Sequence, residues 1–447
     1  MYTYLLIILF LIIFTLLTWK NVRWGLFLIT ALLPVYLIRF SLITIPTTLL
    51  EAMIWILFII WLVKMKKWYG LSFSPAIWLR NLKKKKSGYN PIPKILRLPI
   101  ILLLVATTIA MWSAPDLRSA SGIWKAYFID PIMFLIVLVY TINTKEDLKN
   151  IIRLLGLTVL AIGIFALIQK LTGALIPNPF WATEETRRIT TFFGYPNANA
   201  LLVAPIIILT LINLFNKKNK YLLLDILIII FGLLTVIWSG STGALIGLTA
   251  GSLALLIFYP KTRLTALLII LAFSLGCNFY PAFKEKVSNQ LAIASQIHLP
   301  LGATDLHIRM QQWRETWIML KDQPILGSRL AGYQTAVTPY HQNDHVEIYL
   351  YPHNFFLNFW AETGLLGLIA VIWLLIAFFR LSYKKGLGLN ICLASAMIVV
   401  LVHGLVDVPY FKNDLSVLFW LLIGLTIIDY NLRRGARVVE SGALEKR

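Results

Sequence analysis

LITIPTTLLEAMIWILFIIWLV (42–63) runs directly into KMKKWYGLSFSPAIWLRNLKKKKSGYNPIPKILR (64–97). The first piece has the length and apolarity of a helix that crosses a bilayer core, which takes about 20 residues. The second piece carries Lys64, Lys66, Lys67, Arg80, Lys83, Lys84, Lys85, Lys86, Lys94 and Arg97, the signature of a connection held on the cytoplasmic side. Working outward, comparable apolar runs recur at 2–18, 24–40, 98–112, 127–142, 151–169, 197–215, 221–238, 243–259, 264–280, 354–379, 390–406 and 415–430. Hydrophobic residues make up 59% of the 447, and the mean hydropathy is +0.77, too apolar for a soluble surface. The expectation is an all-α polytopic membrane bundle of about 12–13 spans, one domain over 1–447. The run 2–18 lacks a positive leader and a small-residue cleavage site, so it reads as a span.

The formal charge of +21 follows the same logic. Lys20 and Arg23, Lys217, Lys218 and Lys220, Lys261 and Arg263, Lys384 and Lys385, and Arg433, Arg434 and Arg437 fall on alternate connections. This positive-inside bias argues against a nucleic-acid partner and leaves only an affinity for anionic lipid heads. It puts the N-terminus, 113–126, 171–196, 239–242, 281–353 and 407–414 outside a cytoplasmic membrane, with 64–97 as a basic cytoplasmic loop. Cys277 and Cys392 lie in separate spans, so no disulfide or thiol–metal framework follows.

No phosphate-cradling GxxxxGK[ST] loop, HExxH pair or cysteine-rich cluster is present, and neither cofactor nor metal is expected. A group transfer on the outer face would therefore draw on energy stored in its substrate, as in a sugar joined to a lipid through a diphosphate. Such chemistry needs cations for the diphosphate and a base for the acceptor hydroxyl. Arg187, Arg188, Arg309, Arg314 and Arg329 are the external arginines, and a planar guanidinium reads phosphate well. The candidate base is His353, in Pro352-His353-Asn354 at the head of a span, where a helix N-terminus favours neutral imidazole. A bound diphosphate would act in the opposite direction. In the long loop 281–353, HIRMQQWRETWIML (307–320) sets Met310, Trp313, Trp317 and Leu320 on one helical face. Arg309, Gln312 and Thr316 fall on another, the pattern of an amphipathic helix at the membrane surface.

Plainer readings stand beside these. His353 could cap a helix; Arg187 and Arg188 could pair with Glu184 and Glu185; Arg309 could meet lipid heads, and Arg314 suits a structural role. His341 and His345, near Asp344 and Glu347, have metal-ligand spacing on a helix, but Pro339 and the polar composition suggest an open loop. Glu362, inside a span, is either functional or a buried partner for an arginine. Trp112, Trp181 and Trp238 read as interface anchors.

PHNFFLNFWAETGLLGL (352–368) resembles the signature of the O-antigen ligase and polymerase superfamily. RRITTFFGYPNANAL (187–201), SGSTGALIGL (239–248), IRMQQWRETWIMLKDQPILGSRLAGYQ (308–334) and HGLVDVPYFKNDLSVLFWLLIGL (403–425) resemble further family segments in the same order. Arg329 after Gly327 departs from the small residues usual there. The resemblance implies a metal-independent, inverting transfer from an undecaprenyl-diphosphate glycan to a glycolipid, glycan or protein hydroxyl. It gives His353 the base role and Arg188 and Arg309 the diphosphate, with Arg187, Asn354 and Glu362 as further candidates. Ligase, repeat-unit polymerase and protein O-glycosyltransferase remain open. A secondary transporter is the alternative of another class, although charges cluster in the loops and no half-repeat is visible. A membrane scaffold without activity is the third.

Overall fold

The computed structural model describes residues 2–42, 45–69, 91–214, 219–269, 305–343, 346–383 and 388–444. The protein is a multi-pass helical membrane protein. Eight helices among the described residues are long and apolar enough to cross a membrane. Its helices are α1 (Tyr2–Lys20), α2 (Val22–Ala31), α3 (Leu49–Tyr69), α4 (Lys94–Trp112), α5 (Leu117–Trp124), α6 (Asp130–Thr141) and α7 (Lys145–Thr172). They continue as α8 (Pro196–Leu214), α9 (Leu222–Ser239), α10 (Thr242–Phe258), α11 (Asp305–Asp322), α12 (Phe355–Ser382), α13 (Leu389–His403) and α14 (Asn413–Leu444). A π turn, Lys125–Ile129, joins α5 and α6 into one spanning unit. Most of the run 264–280, with Cys277, and Asp344 and His345 lie outside the described residues.

Burial sorts the helices by depth. Helix α8 buries nearly every position from Ala198 to Thr210, and α14 does so from Asp414 to Ile428, with Trp420 fully enclosed. Helix α1 buries only Ile7, Phe14 and Thr18 and turns Leu5, Leu6 and Leu16 outward. An apolar helix with an exposed apolar face belongs against lipid tails.

One expected span takes a different course. The run 24–40 forms the ten-residue α2, then a 3-10 turn at Leu33–Leu37. An antiparallel hairpin follows, β1 (Arg39–Leu42) and β2 (Ile45–Thr48), with Arg39 opposite Thr48. Ten residues rise about 15 Å, half a bilayer core. Pro34 lacks the N–H an α-helix needs there, so the chain turns.

Two contacts position the functional region. Gly243, Gly247 and Gly251 let α10 lie directly on α13. A Cβ at Gly247 would stand 3.0 Å from the Val399 carbonyl oxygen, and one at Gly243 2.9 Å from the His403 ring. Helix α12 breaks at Gly364, whose φ of 69° is left-handed. The freed Ala361 carbonyl accepts from Arg329 N–H (3.1 Å) and Ser328 Oγ (2.9 Å), and Leu365 N–H donates to Ile325 O at 2.9 Å. The Pro-x-x-Gly loop at 324–327 is thus stapled into the gap in α12, and both sequence motifs serve one joint.

Candidate functional site

The site forms where the ends of α7, α8, α9, α12 and α13 meet under α11. Gln169 of α7 organises the segment entering α8. Its Oε1 accepts from Thr190 N–H (3.0 Å) and Thr191 N–H (2.7 Å), and its Nε2 donates to Leu175 O at 2.8 Å. That frame turns two neighbouring arginines apart. Arg187 donates to the carbonyls of Ala182 (3.2 Å) and Lys170 (3.1 Å), where it caps the end of α7. Arg188 turns inward, donating from Nε to Ser239 O at 2.8 Å and from Nη2 to Asn197 Oδ1 at 3.2 Å. Gly240, at φ 65°, leaves room for it; a Cβ there would stand 3.0 Å from Arg188 Nε.

Asn197 passes the network on, donating Nδ2–H to Asp407 Oδ2 at 3.3 Å. The same carboxylate oxygen lies 3.9 Å from Arg309 Nη2 on α11. Arg309 therefore faces Asp407 directly and Arg188 reaches it only through Asn197, while Asp305 is a second carboxylate acting on Arg188. Burial lowers the pKa of Arg188, Asp305 opposes that, and Arg309 adds to it. Burial would raise the pKa of Asp407, but His403, His353 and Arg309 together hold it below the usual carboxylate range.

His353 stands at the mouth of α12 in a left-handed conformation, φ 47°. Such a backbone persists only where neighbours fix it. Trp313 Nε1–H reaches its carbonyl at 3.4 Å, and Tyr349 meets its ring edge-to-face at 5.1 Å. Asn354 caps α12, accepting from Phe356 N–H (3.0 Å) and Leu357 N–H (3.1 Å), while its Nδ2 donates to Leu405 O at 3.0 Å. Phe355 N–H donates to Gly404 O at 2.7 Å, so the head of α12 is bound to the turn that carries Asp407. Burial lowers the pKa of His353; Asp407 opposes this and Arg309 reinforces it, leaving a neutral imidazole near neutral pH.

Other sequence candidates lie apart from this centre. Glu362 is buried below the staple, and its Oε2 accepts from Ala331 N–H at 2.9 Å, which fixes the turn after Arg329. His341 donates toward Glu315 Oε2 (3.1 Å) and Val346 O (2.9 Å), holding its loop to α11. Burial disfavours the charge on His341, yet the Glu315 carboxylate outweighs it and raises the pKa. Helix α11 also presents an unexpected face: Gln311, Gln312, Glu315 and Thr316 are buried with Met319 and Leu320, whereas Trp317 is exposed. Its polar face looks into the protein, over the recess, while Trp317 is turned outward.

Sequence reasoning gave Asp407 and Asn197 no role and named Gln312 only as part of the polar face of 307–320. Asp407 and Asn197 sit within stretches singled out for other reasons, 403–425 and 187–201; an aspartate four residues after His403, at the end of a span, was the available signal.

Fold and site together define a polytopic membrane protein with a cationic, histidine-bearing recess beneath a loop helix. Residues 227–372, about a third of the chain, match the family model described as O-Antigen ligase. The match supports the O-antigen ligase superfamily and a membrane glycosyltransferase-like function. It contains Arg309, His353 and Glu362, while Arg188 and Asp407 lie outside it. The curated proteins include no match to the chain.

Proposed function

We propose that the protein transfers a glycan from an undecaprenyl-diphosphate carrier to a hydroxyl acceptor on the outer face of the cytoplasmic membrane. The observation that carries this reading is the convergence of Arg188, Arg309 and a neutral-leaning His353 on one recess. His353 takes the acceptor O–H proton as the acceptor oxygen attacks the anomeric carbon. The bond from that carbon to the diphosphate breaks on the opposite side, which inverts the anomeric centre. Charge develops on the departing undecaprenyl diphosphate, and Arg188 and Arg309 stabilise it through charge-assisted bonds. Asp407 occupies Arg309 in the resting recess at a loose 3.9 Å, a counter-ion that an incoming diphosphate displaces. The step needs neither ATP nor metal. Glycolipid, glycan and protein acceptors all suit this chemistry.

The test uses purified protein in lipid vesicles with an undecaprenyl-diphosphate oligosaccharide, a panel of hydroxyl acceptors and EDTA. Transfer by the wild type that is lost in folded His353→Ala supports the reading, and the productive acceptor names the subclass. Equal transfer by both proteins removes His353 as the base. Glycan-independent solute flux without transfer would favour a transporter.

A further inference from the structure

We propose that Gln312 is the positioning residue that sets the tautomer of His353, accepting Nδ1–H so that the lone pair lies on Nε2. The inference rests on His353 as the base. Gln312 Oε1 stands 3.3 Å from His353 Nδ1. A neutral imidazole carries one N–H, so a bond from Nδ1 to an oxygen leaves Nε2 unprotonated. The Tyr351 carbonyl is a second acceptor toward the same imidazole. Gln312 itself is buried, on the polar face of α11.

The placement couples three parts of the recess through one helix. Arg309 and Gln312 are three residues apart and share a face of α11. The next residue, Trp313, donates to the carbonyl of His353. One rigid element therefore presents the diphosphate cation, holds the histidine backbone and orients its ring.

The choice of an amide has a chemical reason. A carboxylate at Nδ1 would orient the ring equally well but would also stabilise imidazolium and hold the base protonated. The charged groups facing the ring are Asp407 from the 404–412 turn and Asp305 and Arg309 from α11. A neutral Gln312 adds orientation without adding to that balance. If the amide were reversed, its NH₂ would donate to Nδ1 and force the proton onto Nε2, leaving no base toward the acceptor.

The test has a substrate-free arm and a kinetic arm. Nitrogen-15 NMR of [¹⁵N]His-labelled protein in vesicles, with His353→Gln used to assign the signal, reads the tautomer directly. We expect a protonated Nδ1 and a bare Nε2 in the wild type, and a mixture in Gln312→Leu. In the transfer assay, Gln312→Leu loses about 10–100-fold in kcat/KM. Gln312→Glu moves the acid limb of the pH profile upward by about one unit or more. A merely structural glutamine would move neither the tautomer nor that limb. Nε2–H in the wild type, or an unchanged tautomer in Gln312→Leu, overturns the proposal. So does a wild-type profile in Gln312→Glu while His353→Ala is inactive, a result that leaves the base reading intact. Transfer retained by His353→Ala removes that reading and this inference with it.

Discussion

Two ionic regions of this bundle are knit to different degrees. In the recess, Arg309 meets Asp407 across a loose 3.9 Å contact, Arg188 reaches that carboxylate only through Asn197, and Asp305 acts on Arg188 from α11. Elsewhere in the bundle, one cation serves two carboxylates. Lys125 Nζ donates to Glu51 and, at 3.3 Å, to Asp130. Glu51 also accepts from Asn413 Nδ2 (2.6 Å) and Thr47 Oγ1 (3.1 Å). The π turn makes this possible, because its Asp130 N–H to Lys125 O bond stacks two residues that are five apart. The second cluster is close-knit and ties α3, the π turn and α14 together; the first is open, its ion pair loose at 3.9 Å. An ionic group that satisfies itself holds a fold, and one that does not is ready for a ligand.

Cutting each region should therefore have a different consequence. The largest effect is expected for His353→Ala, a fall of about 10²–10⁴ in transfer. Its unfolding temperature in detergent should stay near that of the wild type. Lys125→Met should instead cost about 3–5 kcal/mol of stability, since it strands buried carboxylates. Adding Glu51→Gln and Asp130→Asn should restore most of it, and transfer per folded molecule should hold throughout; specific loss of activity would erase the contrast. Arg188→Ala or Arg309→Ala should weaken the donor interaction about 10–100-fold, as expected for charged hydrogen bonds of about 1.5–3 kcal/mol. Lysine should rescue them only in part, because an ammonium lacks the planar fork.

The pH profile sharpens the contrast further. A general base works when unprotonated, and burial depresses the pKa of His353. Activity should therefore persist below pH about 6.5, the ordinary histidine value, and fall only as the pH drops through the depressed pKa. An acid limb above that value would show that the bound diphosphate dominates. The smallest effect belongs to Arg187→Ala, with a cost of about 1 kcal/mol at most from carbonyl bonds at the end of α7 and unchanged transfer.

Much of this was legible in the chain itself. Apolar run length and alternating basic connections mark a polytopic bundle because the bilayer imposes both. The head of α12 at His353-Asn354 is readable too, since an asparagine cap is a local device. Sequence could not separate Arg187 from Arg188. The two are adjacent and chemically identical, and only the frame that Gln169 sets through Thr190 and Thr191 aims one at the end of α7 and the other at Asn197. Nor could it show that the polar face of α11 looks inward, because periodicity identifies two faces without saying which one meets protein. Glu362 drew attention as a charge within a span and proved to anchor a backbone turn, whereas Asp407, in a short connection, faces both the arginine and the histidine. The sequence by itself determined the helices, the membrane and the chemical inventory, all of which follow from local composition. The tertiary structure decided which groups meet, because the recess joins residues from 188 to 407 whose distances are set by long-range packing alone.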